Sequence, residues 1–367
     1  MALNPAYSDQ ERVFAGAFDL LRAGIEQRAF PGAVLAVTLG DNLVALKAAG
    51  RFTYDAGSPE VNADTIFDLA SVSKIVATTP MAMVLYQRGL LDLDAPVQAI
   101  VPEFASPDPG RAEVTIRMLL AHSSGLPAYV RLFERANTRE ALLLAACRVS
   151  LEAAPGERTE YSDIGFILLG EALARLAGEP LDSFCQREIF GPLGLAHTGF
   201  NPPHAWRPRI PPTEDDGRFR HRVVQGEVHD ENAWVLGGVA GHAGVFAPAR
   251  DVARFAHAVF RGGRPILRPE TLAVFAQPQA ARSGEPRALG FDVPSPPSQS
   301  GRYFSRHSFG HLGFTGTSLW IDPERGLSVT LLTNRTWPNR ASQKIKRIRP
   351  ALHDAVGQAL GLDHRNA

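Results

Sequence analysis

Ser71 and Lys74 stand three residues apart in the stretch FDLASVSKIVATTP, residues 67–80. Lysine otherwise occurs only at positions 47, 344 and 346; every other fixed positive charge is arginine. The choice of lysine at 74 has a chemical reading. Burial can lower the pKa of lysine until the amine acts as a base, whereas arginine stays charged. On a helix that begins at Ser71, positions 71 and 74 share a face one turn apart. The helix N-terminus would place backbone N–H groups and positive dipole beside Ser71. That arrangement suits a serine nucleophile whose proton passes to a neutral lysine amine, with an oxyanion forming beside free amides. Apolar Ile75, Val76 and Met81 suit a partly buried amine. The same spacing also describes a helix cap followed by a surface lysine, so the pair needs support from elsewhere in the chain.

A second cluster lies in EVHDENAWVLGGVAGHAGVF, residues 227–246. His229, Asp230 and His242 are conceivable metal ligands, which would make a metallohydrolase. They lack the tight His-x-x-x-His spacing of a helical zinc site. The glycines instead predict a loop lining a cleft, with a histidine or Asn232 reaching toward substrate. GVAGHAG is not a dinucleotide fingerprint, because no strand-to-helix βαβ pattern surrounds it. His122, in HSSGLP, is expected to hold a turn. Cys147 and Cys185 sit in helix-like apolar stretches and form neither a disulfide framework nor a Cys-x-x-Cys pair.

The elements that must position these residues are legible in outline. The chain has 367 residues, long enough for two domains or one large domain with an insertion. Lys and Arg total 38 and Asp and Glu total 38, which argues against nucleic acid or an anionic membrane as partner. The preference for arginine reads as a coding bias. The N-terminal residues lack a basic segment followed by a long apolar core, and no apolar run approaches a membrane span. The expectation is a soluble, cytoplasmic protein.

Helical spacing covers residues 8–28, with Val13, Phe14, Ala17, Leu20, Leu21 and Ile25 on one face. Apolar runs 33–39 and 43–49, split by Gly40-Asp41-Asn42, predict a hairpin; runs 317–321 and 327–333 around DPERG predict another. A last helix is expected over residues 340–360, bent at Pro350, with Ile345, Ile348, Leu352, Val356 and Leu360 on one face and the basic run 344–349 solvated. Helices are expected over 75–88, 115–121, 139–148, 163–176, 181–190 and 249–260, within a helical middle ending near Ala280. Loops fall at 204–217 and 294–301. The two ends therefore suggest one sheet, and the middle a second lobe.

Three further stretches extend the case: LLAHSSGLP (119–127), TEYSDIGFILLGE (159–171) and FGHLGFTGTSLWIDP (309–323). Together with FDLASVSK these resemble, in order, the motifs of the serine β-lactamase and penicillin-binding protein superfamily. The nearest resemblance is to the branch of class C β-lactamases, D-alanyl-D-alanine carboxypeptidases and related esterases and D-aminopeptidases. It runs from about Pro31 to Arg349. It implies a β-lactamase/transpeptidase-like α/β (α+β) fold, an antiparallel sheet flanked by the terminal helices plus a mostly helical lobe. The sheet lobe would comprise 1–70 and 283–367, the helical lobe 71–282, and the site the groove between them.

The resemblance implies Ser71 as nucleophile, Lys74 as its partner amine and Tyr161 as proton shuttle. It makes His311-Leu312-Gly313 the substrate-binding strand, with Gly313 admitting substrate backbone and the amides of Ser71 and Phe314 forming the oxyanion hole. Two positions depart from the pattern. Asp163 replaces a common asparagine and would either hold Lys74 protonated or turn away. Leu312 replaces a common threonine and removes a hydroxyl that helps hold a substrate carboxylate. The expected activity is a cofactor-free, metal-free serine hydrolase acting on an ester or amide of a small molecule or short peptide, with simple esters turned over better than penicillins. A charged His311 would make the binding of acidic substrates weaken as pH rises through roughly 6 to 8, whereas a neutral ring donating a hydrogen bond would give acidic and neutral substrates one profile. The non-enzymatic rival is a penicillin-binding sensor of the same fold. No oligomeric state follows from the sequence.

Overall fold

Alternating apolar residues at the two ends of the chain build the main sheet. The computed structural model describes residues 3–106, 108–279, 281–295 and 297–364. Ala280 and Pro296 lie outside them, as do the extreme ends of the two segments expected to form the sheet lobe. The strands in chain order are β1 (Asn4–Pro5), β2 (Gly32–Leu39), β3 (Asn42–Gly50), β4 (Ile66–Asp68), β5 (Gly199–Phe200), β6 (Glu214–Asp216), β7 (Arg222–Val224), β8 (Val245–Pro248), β9 (Phe309–Leu312), β10 (Ser318–Asp322) and β11 (Leu327–Thr333). Both expected hairpins form, and the sheet runs β1-β3-β2-β11-β10-β9. It is antiparallel except at one edge, where the two residues of β1 pair in parallel with β3.

The main helices are α1 (Ala15–Glu26), α2 (Thr79–Gln87), α3 (Asp163–Ala177), α4 (Ala249–Phe260) and α5 (Ile345–Ala359). The pleat sorts the side chains of β2 between the two faces of the sheet. Leu35 and Val37 join Phe18 and Leu21 of α1 and Ile348, Leu352 and Val356 of α5. Val34 and Ala36 join the larger core, which includes α2, α3 and α4. Each fully buried side chain of this size contributes roughly 1.5–3 kcal/mol. Helix α4, although it comes from the middle of the chain, packs against β2, β10 and β11.

Several boundaries differ from the sequence pattern for identifiable reasons. The first expected helix divides at Phe14 into Gln10–Val13 and α1. The helix of Lys74 starts as a 3-10 turn over Ala70–Val72, widens to a π-turn over Lys74–Thr78 and becomes α-helical only at Thr79. Pro80 has no N–H for the α-ladder, which accounts for the wider turn just before it. The expected helix over 181–190 likewise becomes a π-turn over Gln186–Phe190. The last helix begins at Ile345 rather than 340, because the carbonyls of Arg340 and Ser342 accept from the Arg335 guanidinium. Within the basic run, Lys344, Lys346 and Arg347 are exposed, but Arg349 is buried, so that run is not wholly a solvated face.

A small sheet, β4-β8-β5, delivers the two segments that matter most. β4 runs directly into Ser71, and β8 directly follows the GHAG loop. The Leu69 amide donates to Val245 O at 2.9 Å, and the Val245 amide to Ser73 Oγ at 3.0 Å. The loop also lies hard against α3. A Cβ on Gly241 would fall 2.0 Å from Phe166 O and 2.9 Å from Gly170 Cα. Gly241→Ala should therefore force the loop off α3 and destabilise the fold by about 1–3 kcal/mol. Urea denaturation of the variant measures this; an unchanged midpoint and slope would contradict the packing.

Candidate active site

Asp68 starts the construction. It is buried, its Oδ1 accepts the Ala70 amide at 2.8 Å and its Oδ2 the His229 amide at 2.7 Å. This tight bend puts Ala70 at φ 46°, a left-handed conformation uncommon for a non-glycine residue, immediately before Ser71. The bend is held from the other side by the turn before β10. Thr315 Oγ1 donates to Asp68 O and Thr317 Oγ1 to Leu69 O, each at 2.8 Å. Gly313 belongs to this joint. A Cβ there would fall 1.9 Å from Thr317 Oγ1 and 2.6 Å from Leu69 O. Chain packing beside Ser71 therefore requires the glycine.

Tyr161 and Asp163 arrive on the N-terminus of α3. Ser162 caps it, accepting the Gly165 amide at 3.0 Å and donating to Pro127 O at 2.7 Å. His122 Nδ1 accepts the Ser162 amide at 3.0 Å, and its ring packs between Tyr161 and Phe166, with centroids at 4.8 and 4.9 Å. Burial holds His122 well below the ordinary histidine range, so it supports the turn as a neutral ring. That is the structural part expected of it.

Lys74 stands at the centre and has no exposed surface. Its Nζ lies 2.7 Å from Asp163 Oδ1, 3.0 Å from His242 O, 2.9 Å from Ser71 Oγ and 2.7 Å from Tyr161 Oη. The carboxylate and the carbonyl can only accept, so they take two N–H groups. The remaining tetrahedral position faces the two hydroxyls. There it is either a third N–H or the lone pair of a neutral amine. Burial lowers the pKa of the amine, with Asp163, the expected substitution for asparagine, pulling in the opposite direction. Asp163 therefore turns toward Lys74, not away.

The hydroxyls of Ser71 and Tyr161 are 2.7 Å apart, and Tyr161 Oη donates to Asp163 Oδ1 at 2.8 Å. Burial, reinforced by Asp163, keeps Tyr161 well above the ordinary tyrosine pKa, so it is a phenol. Among the described residues, the amides of Ser71 and Phe314 have no protein acceptor. A cleft of about 400 Å³ opens beside them, walled by Ala70, Ala128, Tyr129, Ala243 and Phe314, with Asp230, Glu231 and Arg340 at its polar side.

The structure does not bring together the metal-site alternative. His229 Nε2 bonds to Glu214 at 2.9 Å, and His242 Nε2 separately to Asp230 at 2.8 Å. Among the described residues no group of three or more His, Cys, Asp or Glu side chains is placed to hold a metal. Asn232 does not reach substrate: it accepts the Phe133 amide at 3.0 Å and donates to Val130 O at 2.9 Å. Sequence reasoning missed Asp68, whose only signal is its place three residues before the serine, and Arg335 and Arg340, which lie in a stretch with no recognisable spacing.

His311 is buried beside Tyr161, and its Nδ1 donates to Leu312 O at 2.8 Å. Burial pushes its pKa down to about 4, with Asp292 opposing and Lys74 adding to the fall. The ring is thus neutral through the neutral range, which favours the second of the two alternatives the sequence left open, the neutral donor, over the charged anion holder. Leu312 packs with the terminal-helix core on the opposite face of β9. The strand therefore offers neither a cation nor a hydroxyl for a substrate carboxylate. Profiles of kcat/KM for a matched acidic and neutral substrate should overlap between pH 6 and 8, because His311 titrates only as pH falls toward about 4. A selective loss of the acidic substrate through that window would contradict the neutral ring.

Comparison with known proteins bears on the family and the fold. The Beta-lactamase family model matches residues 17–352. An N-acetylmuramyl-L-alanine amidase of Bacillus subtilis (strain 168) is 33% identical over 344 residues, covering 83% of this chain and 77% of that protein. The solved structure of EstCE1, a hydrolase with promiscuous acyltransferase activity, superposes with a TM-score of 0.78 at 24% identity, covering 95% of this chain and all of the other. A β-lactamase from Sulfitobacter sp. EE-36 superposes with a TM-score of 0.75 at 24% identity, covering 96% of this chain and 98% of the other. Four motifs in order, the fold they predict and a family match over most of the length agree: the chain belongs to the β-lactamase family of serine hydrolases.

Proposed function

We propose that this enzyme cleaves an ester or amide of a small molecule or short peptide through an acyl-enzyme on Ser71. The observation that carries this reading is the buried Lys74 amine, two of whose positions are taken by Asp163 and His242 O while the third faces Ser71 and Tyr161. In its neutral form the lone pair takes the Ser71 proton, directly or by relay through Tyr161 Oη. Ser71 Oγ then forms a bond to the substrate carbonyl carbon, and the carbonyl electrons move onto its oxygen. The amides of Ser71 and Phe314 hold that oxyanion. Collapse breaks the bond to the leaving group, which takes a proton from Tyr161, and Lys74 restores the phenol. Water repeats the sequence on the acyl-enzyme and frees Ser71. Tyr161 acts as a phenol that carries protons and not as a phenolate, in keeping with its raised pKa.

The cleft suits an acyl group of modest size between Tyr129 and Phe314. The amidase relative makes amides of cell-wall fragments a natural first panel, alongside simple esters. We retain the cytoplasm as the compartment in this proposal; among the described residues no helix is long and apolar enough to cross a membrane.

Ser71→Ala should abolish turnover and fluorophosphonate labelling, a loss of several orders of magnitude, with the fold intact. Labelling of that variant at another serine would overturn the assignment, as would stoichiometric acylation of the wild type with no turnover. Asp163→Asn removes a charge that raises the pKa of Lys74. If Lys74 is the base, the acid limb of kcat/KM should move to lower pH in that variant. An acid limb left in place, with the alkaline limb moved to lower pH instead, would show that Lys74 is needed protonated.

A further inference from the structure

Two buried arginines clasp the turn that carries Phe314, and the proton-transfer chemistry uses neither. Arg335 is 5% exposed and Arg349 4%. Arg335 Nε donates to Phe314 O at 2.6 Å, and its Nη1 donates to Arg340 O and Ser342 O at 3.2 and 2.8 Å. Its guanidinium carbon lies 4.4 Å from the centre of the Phe314 ring. Arg349 donates to Thr317 O and to Gln299 Oε1, both at 3.2 Å, while its Nε has no partner among the described residues. Thr317 O also accepts the Gly313 amide at 2.7 Å, so the two cations grip residues 313–317 from both ends. Among the described residues, every polar partner of both guanidiniums is a neutral oxygen. Glu214, whose charge acts on Arg335, is itself bonded to Arg340 and His229.

Burial without a contacting carboxylate disfavours a cation, and both pKa values are pushed down, to about 10 for Arg335 and about 9 for Arg349. The field of Arg335 adds to the fall at Arg349, and that of Arg340 to the fall at Arg335. Like charges in so dry a place are costly to the free fold. The tetrahedral intermediate changes the sign of that cost. Its oxyanion, at the Phe314 amide, supplies the negative charge that the turn lacks.

We propose that Arg335 and Arg349 form a buried cationic clamp that positions the Phe314 turn and stabilises, by its charge, the oxyanion formed during acyl transfer. They are positioning residues, acting through Phe314 without touching substrate. The inference rests on the Ser71 acyl-enzyme reading. Arg111 provides an internal comparison. It too is buried and bonded to carbonyls, those of Phe104, Cys147 and Val149, but on segments away from the cleft. There the same device is structural only.

The test compares Arg335→Gln, Arg335→Lys, Arg349→Gln, Arg349→Lys and Arg111→Gln. For each, kcat and KM on a simple ester are measured per folded molecule, with the affinity of a reversible aryl boronic acid. That probe becomes a tetrahedral anion when Ser71 Oγ bonds to boron. The glutamine variants at 335 and 349 should lose about ten- to a hundredfold in kcat/KM, with KM changed less than about threefold. Boronate affinity should fall in the same proportion, and the lysine variants should recover most of both. Arg111→Gln should lose thermal stability alone. Glutamine variants that bind boronate as tightly as wild type would overturn the clamp. So would lysine variants as impaired as the glutamine ones, which would leave hydrogen-bond geometry as the whole effect. Should one variant fail to fold, the other arginine's pair gives the same readout. A wild type that forms no Ser71 boronate adduct would remove the Ser71 reading and the clamp together; an adduct unaffected by the substitutions removes the clamp alone.

Discussion

The arrangement depends on one amine having no access to water. Lys74 is completely buried, yet its Nζ is surrounded by four oxygens, two of which can only accept. A buried ammonium is disfavoured by desolvation, and Asp163 offsets part of that cost. The balance between the two sets whether the third position of Nζ offers Ser71 a proton or a lone pair. An arginine at 74 would remove the choice, and a solvent-exposed lysine would settle it in favour of the ammonium.

Much of the surrounding structure serves to keep those oxygens in place. The β4–β8 pairing sets the GHAG loop beside Ser71, and the glycine contact between that loop and α3 lets His242 O reach the amine. The cap at Ser162 and the neutral His122 ring fix the start of α3, and with it Tyr161 and Asp163. Thr315 and Thr317 join the Phe314 turn to the segment before Ser71, so the two free amides belong to one rigid joint. The polar groups of the site are thus positioned by backbone packing on several elements.

The parts of this that were legible in the sequence are those with a period or a spacing. The two hairpins, α3, α4 and the buried faces of α1 and α5 follow from alternation and helical repeat. Ser71, Lys74 and Tyr161 were legible because four short motifs occur in a known order. What escaped detection depends on partners distant in sequence. The neutrality of His311 comes from burial under Tyr161, and the Gly313 requirement from a threonine and a carbonyl that no local pattern reveals. Arg349 looked like one charge in a solvated run, because its burial depends on Thr317 and Gln299, some 30 and 50 residues away. Helix boundaries shifted where carbonyls were diverted to side chains, as at Arg340 and Ser342.

The scarcity of lysine makes the central claim directly measurable. With only Lys47, Lys74, Lys344 and Lys346 in the chain, a sample carrying ¹⁵N at lysine Nζ gives four side-chain signals, and Lys74→Met identifies one of them. Followed against pH by NMR, the signals of Lys47, Lys344 and Lys346 report amines with exposed surface, while that of Lys74 reports the buried one. The account predicts that Lys74 loses its proton at lower pH than the other three, and at a still lower pH in Asp163→Asn. A Lys74 signal that remains an ammonium to higher pH than its exposed neighbours would contradict it.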